Sequence, residues 1–259
     1  MVRGFVLCML LCGAAAAADI ARHFEGIEGT FVLLDGRTGA FTRYNSERAA
    51  RRFPPCSTFK IPHSAIALET GAAPSPDYSL KYAPALKVTN PNWAHDHNLR
   101  TAYRDSVVWY YQEMARRIGP EAEGRFAHRF AYGNEDTSGP VDRFWLGAPL
   151  RISADEQVRF LQRLHDGKLG LSSRTTELTL DIMLADQGPG WRLRAKTGAC
   201  RAEGEDVALW YVGWVEKEAG VSYFALELGA RDYEPLWKER VPKARAILTD
   251  LGVLTAGAK

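Results

Sequence analysis

Strand-like segments lie near both ends of this chain of 259 residues, and helix-like segments fill its middle. Near the start, GTFVLLDGRTGAFTRYN contains two β-type runs around a turn at residues 35–39, which is the pattern of a hairpin. Near the end, AKTGAC and VALWYVGWVEKEAGVSYFALELGA indicate further strands, the last two joined at residues 217–220. This arrangement predicts one antiparallel sheet to which both chain ends contribute.

The middle of the chain has helical spacing of its apolar residues. A helix is predicted to begin at Ser57 and end near Gly71, and another to run from Trp237 to Leu251. Four more helices are predicted between them, over SVVWYYQEMARRIG, EAEGRFAHRFAYG, SADEQVRFLQRLHDG and SSRTTELTLDIMLAD. The third of these opens with a capping box, in which Ser153 precedes Glu156 by three residues.

A proline- and alanine-rich loop, GAAPSPDYS, marks a boundary after the first of these helices. We therefore predict an α+β fold with an all-helical insert. Residues 19–75 and 185–259 would form the sheet subdomain and residues 76–184 the helical subdomain, with the active site between them.

Residues 1–18, MVRGFVLCMLLCGAAAAA, resemble a secretory signal peptide that is cut before Asp19. The remaining chain has no run long enough to cross a bilayer, so we expect no membrane contact after cleavage and a periplasmic or secreted location. Cleavage removes Arg3 and no acidic residue, which lowers the formal net charge from +2 to +1. A net charge this close to zero argues against nucleic acid as a partner.

The stretch PPCSTFKIPHS, residues 54–64, places Lys60 three residues after Ser57. Prolines stop a helix before Ser57, and residues three apart on a helix share a face at roughly 5–6 Å. The hydroxyl and the amine would then meet between apolar side chains at a helix N-terminus. This is an unfavourable place for a resting charge and a suitable one for a nucleophile with its base.

Two more motifs follow in the chain. Ser106-Val107-Val108 offers a second hydroxyl at the start of a helix, and Lys196-Thr197-Gly198 lies at the start of a predicted strand. The glycine allows a ligand to approach the strand backbone closely. Ser-x-x-Lys, then Ser-x-Val or Ser-x-Asn, then Lys-Thr-Gly, in this order, is typical of serine enzymes that react with penicillin.

On these residues the chain resembles the class D (oxacillinase-type) serine β-lactamases over nearly all of its length after residue 18. The matching segments include PCSTFKIPHS, NWAHDHNLRTAYRDSVVWYYQEMARRIG, YGNEDTSGPVDRFWL, PLRISADEQ, and KTGAC followed by WYVGWVE. Tyr132-Gly133-Asn134 and the downstream Trp145 distinguish this class from class A. The resemblance implies the serine β-lactamase and penicillin-binding transpeptidase-like fold, with hydrolysis of the β-lactam amide bond through a serine acyl-enzyme.

The resemblance also assigns roles to the catalytic residues. Ser57 would attack the lactam carbonyl, and Lys60 would be N-carboxylated by carbon dioxide or bicarbonate to act as general base in acylation and deacylation. Burial favours this modification because it lowers the pKa of a lysine and so favours the neutral amine. Trp145 would donate a hydrogen bond to the carbamate, while Val108 and Leu146 would keep it dry. No metal or other cofactor is implied.

The remaining implied roles concern the substrate. Ser106 would relay a proton to the lactam nitrogen, with Lys196 lending positive charge. The backbone N–H groups of Ser57 and Ala199 would form the oxyanion hole. The residues implied to bind substrate are Thr197, Gly198, Arg240 and Tyr132, with Arg231 as the alternative to Arg240 for the substrate carboxylate.

Cys56 and Cys200 are the two cysteines outside residues 1–18. In an exported protein such a pair indicates a disulfide, with two separate thiols as the alternative. By analogy with some class A enzymes, in which cysteines at equivalent places are bridged across the site, we expect a Cys56–Cys200 disulfide.

Other functions fit the sequence less well. His95-Asp96-His97 resembles half of a zinc motif but lacks further ligands at fixed spacing, and a Gly-x-Ser-x-Gly elbow of a Ser-His-Asp hydrolase is absent. A penicillin-binding sensor or transpeptidase-like protein, which acylates without efficient turnover, would share Ser57, Lys60 and Lys196. The choice among penicillins, cephalosporins and carbapenems stays open, as does assembly into a homodimer.

Overall fold

The computed structural model of the protein describes residues 20–88, 90–147, 149–232 and 236–255. The predicted signal peptide, residues 1–18, lies outside these residues. Within the described ranges lie eight strands: β1 (Glu28–Asp35), β2 (Phe41–Tyr44), β3 (Ser79–Leu80), β4 (His97–Asn98), β5 (Leu184–Gly188), β6 (Trp191–Arg201), β7 (Val207–Lys217) and β8 (Gly220–Ala230). The same ranges contain the α-helices α1 (Ser46–Ala50), α2 (Lys60–Thr70), α3 (Leu99–Arg104), α4 (Val108–Ile118), α5 (Pro120–Arg129), α6 (Ala154–His165), α7 (Ser173–Ile182) and α8 (Leu236–Asp250). Short 3-10 helices cover Arg22–Phe24, Cys56–Phe59, Pro84–Leu86 and Pro91–Trp93.

Both chain ends contribute to one antiparallel sheet, which confirms the predicted α+β architecture. The strand order is β2-β1-β8-β7-β6-β5, so the N-terminal hairpin adds to one edge of a C-terminal meander. Asp35 closes the first turn, because its side chain accepts hydrogen bonds from the backbone N–H groups of Arg37 and Thr38 at 2.9 and 2.8 Å. The turn between β7 and β8 lies where it was predicted, with Lys217 paired to Gly220.

The sheet is buried on both faces, which explains why β7 is almost continuously apolar. Trp210 and Trp214 pack on one face in the larger of two core clusters, and Leu209 and Tyr211 pack on the other face with α8. Helix α6 covers the first face, where the hydroxyl of Tyr223 lies 2.9 Å from Nδ1 of His165. This helix belongs to the region 76–184 that was predicted as a helical subdomain, and the predicted subdomain boundaries stay a prediction.

One predicted helix is too long. The helix expected over SSRTTELTLDIMLAD ends at Ile182, and its last residues instead enter β5, which pairs with β6 at the sheet edge. The predicted capping box is confirmed: the side chain of Ser153 accepts a hydrogen bond from the N–H of Glu156, and Glu156 accepts one from the N–H of Ser153. Within the described ranges, no helix combines the length and the apolar character needed to cross a membrane.

Candidate active site

The nucleophile candidate lies at the junction of two helical segments. Pro54 and Pro55 precede the 3-10 helix Cys56–Phe59, which runs directly into α2 at Lys60. Nζ of Lys60 lies 3.1 Å from Oγ of Ser57. Lys60 is fully buried, whereas Ser57 retains 9% of its surface and lines a cleft. The Ser57 hydroxyl therefore faces the cleft on one side and contacts the buried amine of Lys60 on the other.

The surroundings of Lys60 disfavour its charged form. Burial lowers the pKa of this amine well below its usual value, and the positive charge of Lys196 lowers it further. The ring centroid of Tyr111 lies 4.9 Å from Nζ. A neutral amine beside a serine hydroxyl is able to accept a proton or to react with carbon dioxide.

Trp145 packs behind the nucleophile and is fully buried. Its ring stacks on Phe59 at 5.8 Å between centroids and meets His63 edge-on at 5.0 Å. Its indole N–H has no hydrogen-bond acceptor among the residues that the structure describes. A buried donor without a partner is costly, which indicates that an acceptor belongs there in the active protein.

Ser106 and Lys196 meet on the other side of the cleft. Ser106 lies in the turn between α3 and α4 with a positive φ of 59°, a strained conformation for a residue other than glycine. Nζ of Lys196 lies 3.2 Å from Oγ of Ser106, 3.3 Å from Oγ1 of Thr197 and 3.1 Å from the Thr197 carbonyl oxygen. The second hydroxyl and the second lysine are thus in direct contact.

The pKa of Lys196 is also lowered by its surroundings. Burial, and then the charge of Arg240, lower its pKa from 10.5 to about 7, while Asp105 acts in the opposite direction. A lysine with a pKa near neutrality exchanges protons readily at physiological pH, so it can supply or accept a proton through Ser106.

Gly198 lets β6 approach the nucleophile segment. A Cβ atom at this position would lie 3.0 Å from the carbonyl oxygen of Pro55 and 3.0 Å from Cγ2 of Thr58. Two residues later, Cys200 is joined to Cys56 by a disulfide with the Cα atoms 5.5 Å apart. This bond ties the strand to the residue before Ser57, and that residue has a positive φ of 53°.

The cleft in front of Ser57 has a volume of about 250 Å³. Its lining residues are Ser57, Asn90, Trp93, Asp105, Ser106, Val108, Leu146, Thr197, Gly198, Ala199, Trp237 and Arg240. The predicted residues Val108, Leu146, Thr197, Gly198, Ala199 and Arg240 thus line one cavity with both serines. Lys60 and Lys196 lie beneath it, and each makes a hydrogen bond to one of these serines.

Arg240 is the arginine that reaches the cleft. Its guanidinium lies 4.3 Å from the ring centroid of Trp237 and donates to the carbonyl oxygen of that residue, while its Nε has no partner in the described part of the chain. Burial lowers its pKa to about 10. Arg231 is exposed and does not line the cleft.

Tyr132, which the resemblance implies to bind substrate, lies in the core next to the site. It is fully buried, packs edge-on against Phe59 at 5.4 Å, and is absent from the cleft lining. Its contact with Phe59 places Tyr132 in the core beside the nucleophile segment, and the implied contact with substrate stays a prediction.

Asn90, Trp93, Asp105 and Trp237 also line the cleft, although they were not among the predicted site residues. Trp93 was visible in the NWAHDHN segment, beside the histidine pair considered for zinc. His97 of that pair is buried and contacts the carbonyl oxygen of Asn92 at 3.1 Å and Oγ1 of Thr101 at 3.2 Å. No cluster of three or more potential metal ligands occurs among the described residues.

Comparison with known proteins gives the family. The model of the penicillin binding protein transpeptidase domain matches residues 29–248. Beta-lactamase OXA-48 of Klebsiella pneumoniae is 41% identical over 202 residues, 78% of this chain and 75% of that protein. Beta-lactamase OXA-10 of Pseudomonas aeruginosa is 34% identical over 234 residues, 86% of this chain and 88% of that protein.

Solved structures agree with the sequence relatives. The class D β-lactamase YbXI from Nostoc superimposes with a TM-score of 0.87 at 37% identity, covering 91% of this chain and 99% of that one. FUS-1 (OXA-85), a class D β-lactamase from Fusobacterium nucleatum subsp. polymorphum, gives 0.88 at 33% identity and covers 92% and 99%. Together with two serines that each contact a buried lysine, these similarities show that the chain belongs to the class D serine β-lactamases, hydrolases with the penicillin-binding transpeptidase fold.

Proposed function

We propose that the protein hydrolyses penicillin-type β-lactams through an acyl-enzyme on Ser57, with an N-carboxylated Lys60 as general base in both half-reactions. The observation that carries this proposal is the fully buried Lys60, whose pKa is lowered well below its usual value and whose Nζ lies 3.1 Å from Oγ of Ser57. The unpartnered N–H of Trp145 supports it further, because an anion on Lys60 would supply the missing acceptor.

Carboxylation would give Lys60 an anionic oxygen beside the Ser57 hydroxyl. Ser57 then loses its proton to this base, and its oxygen forms a bond to the lactam carbonyl carbon. The C–N bond of the lactam breaks as Ser106 donates its proton to the departing nitrogen, and Lys196, 3.2 Å away, returns a proton to Ser106. Before the second half-reaction the base releases the Ser57 proton to solvent and Lys196 takes one up, so both groups return to their starting states. A water then loses a proton to the base, its oxygen bonds to the ester carbon, and the base returns this proton to Oγ of Ser57 as the ester C–O bond breaks.

The cleft also provides for the charges of the substrate. The N–H groups of Ser57 and Ala199 are the proposed oxyanion hole, where negative charge develops in the tetrahedral intermediate. Arg240 and Thr197 are the proposed ligands of the substrate carboxylate, with Arg240 favoured over Arg231 because it lines the cleft. Arginine suits this role because its guanidinium binds carboxylates in a bidentate way.

Penicillin turnover with and without added bicarbonate tests this function. We expect the purified protein to hydrolyse benzylpenicillin, followed by loss of its absorbance, faster when bicarbonate is present. A protein that only retains one equivalent of penicillin covalently, without turnover, would instead be a penicillin-binding module. Turnover that does not respond to bicarbonate after thorough removal of carbon dioxide would contradict the carboxylated base.

We also propose that the protein acts in the periplasm or as a secreted enzyme. The signal-like sequence of residues 1–18 supports this proposal, and so does the Cys56–Cys200 disulfide, since such bonds persist in oxidising compartments. N-terminal sequencing of the exported protein should begin at Asp19. A protein that keeps its original N-terminus inside the cytoplasm would contradict this location.

A further inference from the structure

A second buried ionisable pair lies behind the active site and has no part in the chemistry described so far. His63 follows Lys60 by three residues on α2, and Glu123 lies on α5. Both side chains are fully buried, and Nε2 of His63 lies 2.8 Å from Oε1 of Glu123. The contact is an ion-pair distance without regular hydrogen-bond geometry, and among the described residues none of the four polar atoms of these two side chains has a hydrogen-bond partner.

The contact brings a ring nitrogen within 2.8 Å of a carboxyl oxygen in a part of the core where both side chains are fully buried. A buried pair of this kind contributes little net stability to a core. Taking both groups out of water costs free energy, and apolar side chains of the same volume often stabilise a protein equally well. The pair is therefore better explained by what it holds in place.

The imidazole ring of His63 touches three aromatic rings of the site. It meets Trp145 at 5.0 Å, Phe59 at 5.4 Å and Tyr111 at 5.4 Å between centroids. Trp145 carries the unpartnered N–H, and the ring of Tyr111 lies 4.9 Å from Nζ of Lys60. His63 thus contacts both Tyr111, whose ring lies beside Nζ of Lys60, and Trp145, which carries the unpartnered N–H.

We propose that His63 and Glu123 are positioning residues for the general base. Glu123 fixes the orientation of the His63 ring, and that ring holds the indole of Trp145 in the orientation in which its N–H serves a carboxylated Lys60. This inference rests on the proposed function, since it assigns the pair a role in retaining the carboxyl group on Lys60.

The bicarbonate requirement of Glu123 variants tests the inference. Glu123→Met fills the same space but gives His63 no acceptor. We expect it to raise the bicarbonate concentration for half-maximal benzylpenicillin hydrolysis by about fivefold or more, which corresponds to about 1 kcal/mol. Glu123→Gln keeps an oxygen acceptor and should fall between Glu123→Met and the wild type. Saturating bicarbonate should restore much of the rate in both variants.

Glu227→Gln is the matched control. Glu227 is also fully buried and ion-paired, with its Oε2 2.7 Å from Nε of Arg48, but it lies on β8 away from Lys60. A merely structural role for Glu123 would lower the unfolding temperature in all three variants and leave the bicarbonate requirement unchanged, which would overturn the inference. A wild-type enzyme without any bicarbonate requirement would overturn the carboxylated base itself, and this inference with it.

Discussion

Replacing Trp145 by phenylalanine isolates one N–H donor. The side chain is fully buried, stacks on Phe59 and meets His63 edge-on, and its Nε1 has no partner in the described structure. Phenylalanine preserves most of this ring packing but cannot donate a hydrogen bond. A loss of affinity of Lys60 for carbon dioxide beyond that seen in a matched tryptophan-to-phenylalanine control therefore reports on that donor.

The size of the effect follows from the charge of the acceptor. A hydrogen bond to a charged group contributes about 1.5–3 kcal/mol, whereas a bond between neutral groups contributes about 1 kcal/mol. Losing it from a buried carbamate should weaken carboxylation by about 10–150-fold, since 1.4 kcal/mol corresponds to a factor of ten. Part of the lost ring volume remains as a cavity, which should also lower the free energy of unfolding by about 1–3 kcal/mol.

The assay is benzylpenicillin hydrolysis against bicarbonate concentration, with Trp214→Phe as the control. Trp214 is also fully buried and donates its Nε1–H to a carboxylate, Glu216, at 2.8 Å. We expect both variants to lose stability and only Trp145→Phe to need much more bicarbonate. If both variants keep the wild-type bicarbonate requirement, the indole N–H does not serve the general base and the reasoning is refuted.

Three further predictions follow from the site. Arg240→Ala should raise KM for benzylpenicillin by about 10–100-fold through loss of a charge-assisted hydrogen bond, while Arg231→Ala, tested in the same steady-state assay, should change it little. The Cys56–Cys200 disulfide joins residues 144 positions apart. Reducing it should lower the free energy of unfolding, measured in urea, by about 3–5 kcal/mol; no decrease would mean that the bond is absent in solution. The pKa of Lys196 is lowered to about 7 on folding, so the unfolded chain binds more protons between about pH 7 and 10.5 and stability rises with pH across this window. Lys196→Met lacks this rise, so its unfolding free energy should fall further below that of the wild type as the pH increases from 7 to 10. A difference between the two proteins that stays constant over this range would contradict the lowered pKa.

The parts of the site that the sequence could predict depend on local spacing or on motifs in order. Ser57 and Lys60 are three residues apart on one helical segment, so their contact follows from helix geometry. The hairpin turn at Asp35 and the capping box at Ser153 are local in the same sense. The meeting of Ser106 with Lys196, 90 residues later, was predicted only from the resemblance.

Features that depend on tertiary contacts were missed. His63 and Glu123 are far apart in sequence, and each looks like an ordinary polar residue of a helix. The edge strand β5 was taken as the end of a helix, because the LADQG segment has neither β-branched residues nor alternation. The packing of Tyr132 against Phe59 is likewise a tertiary contact that its motif does not reveal.

The central claim is that Lys60 carries a carboxyl group when the enzyme turns over. Carbon-13 NMR of the protein equilibrated with labelled bicarbonate tests it most directly, with Lys60→Ala as the reference. We predict one protein carbamate signal in the wild type, absent from Lys60→Ala, that disappears together with penicillin hydrolysis when bicarbonate is removed. Full hydrolysis without any such signal, or an equal signal in Lys60→Ala, would contradict the account.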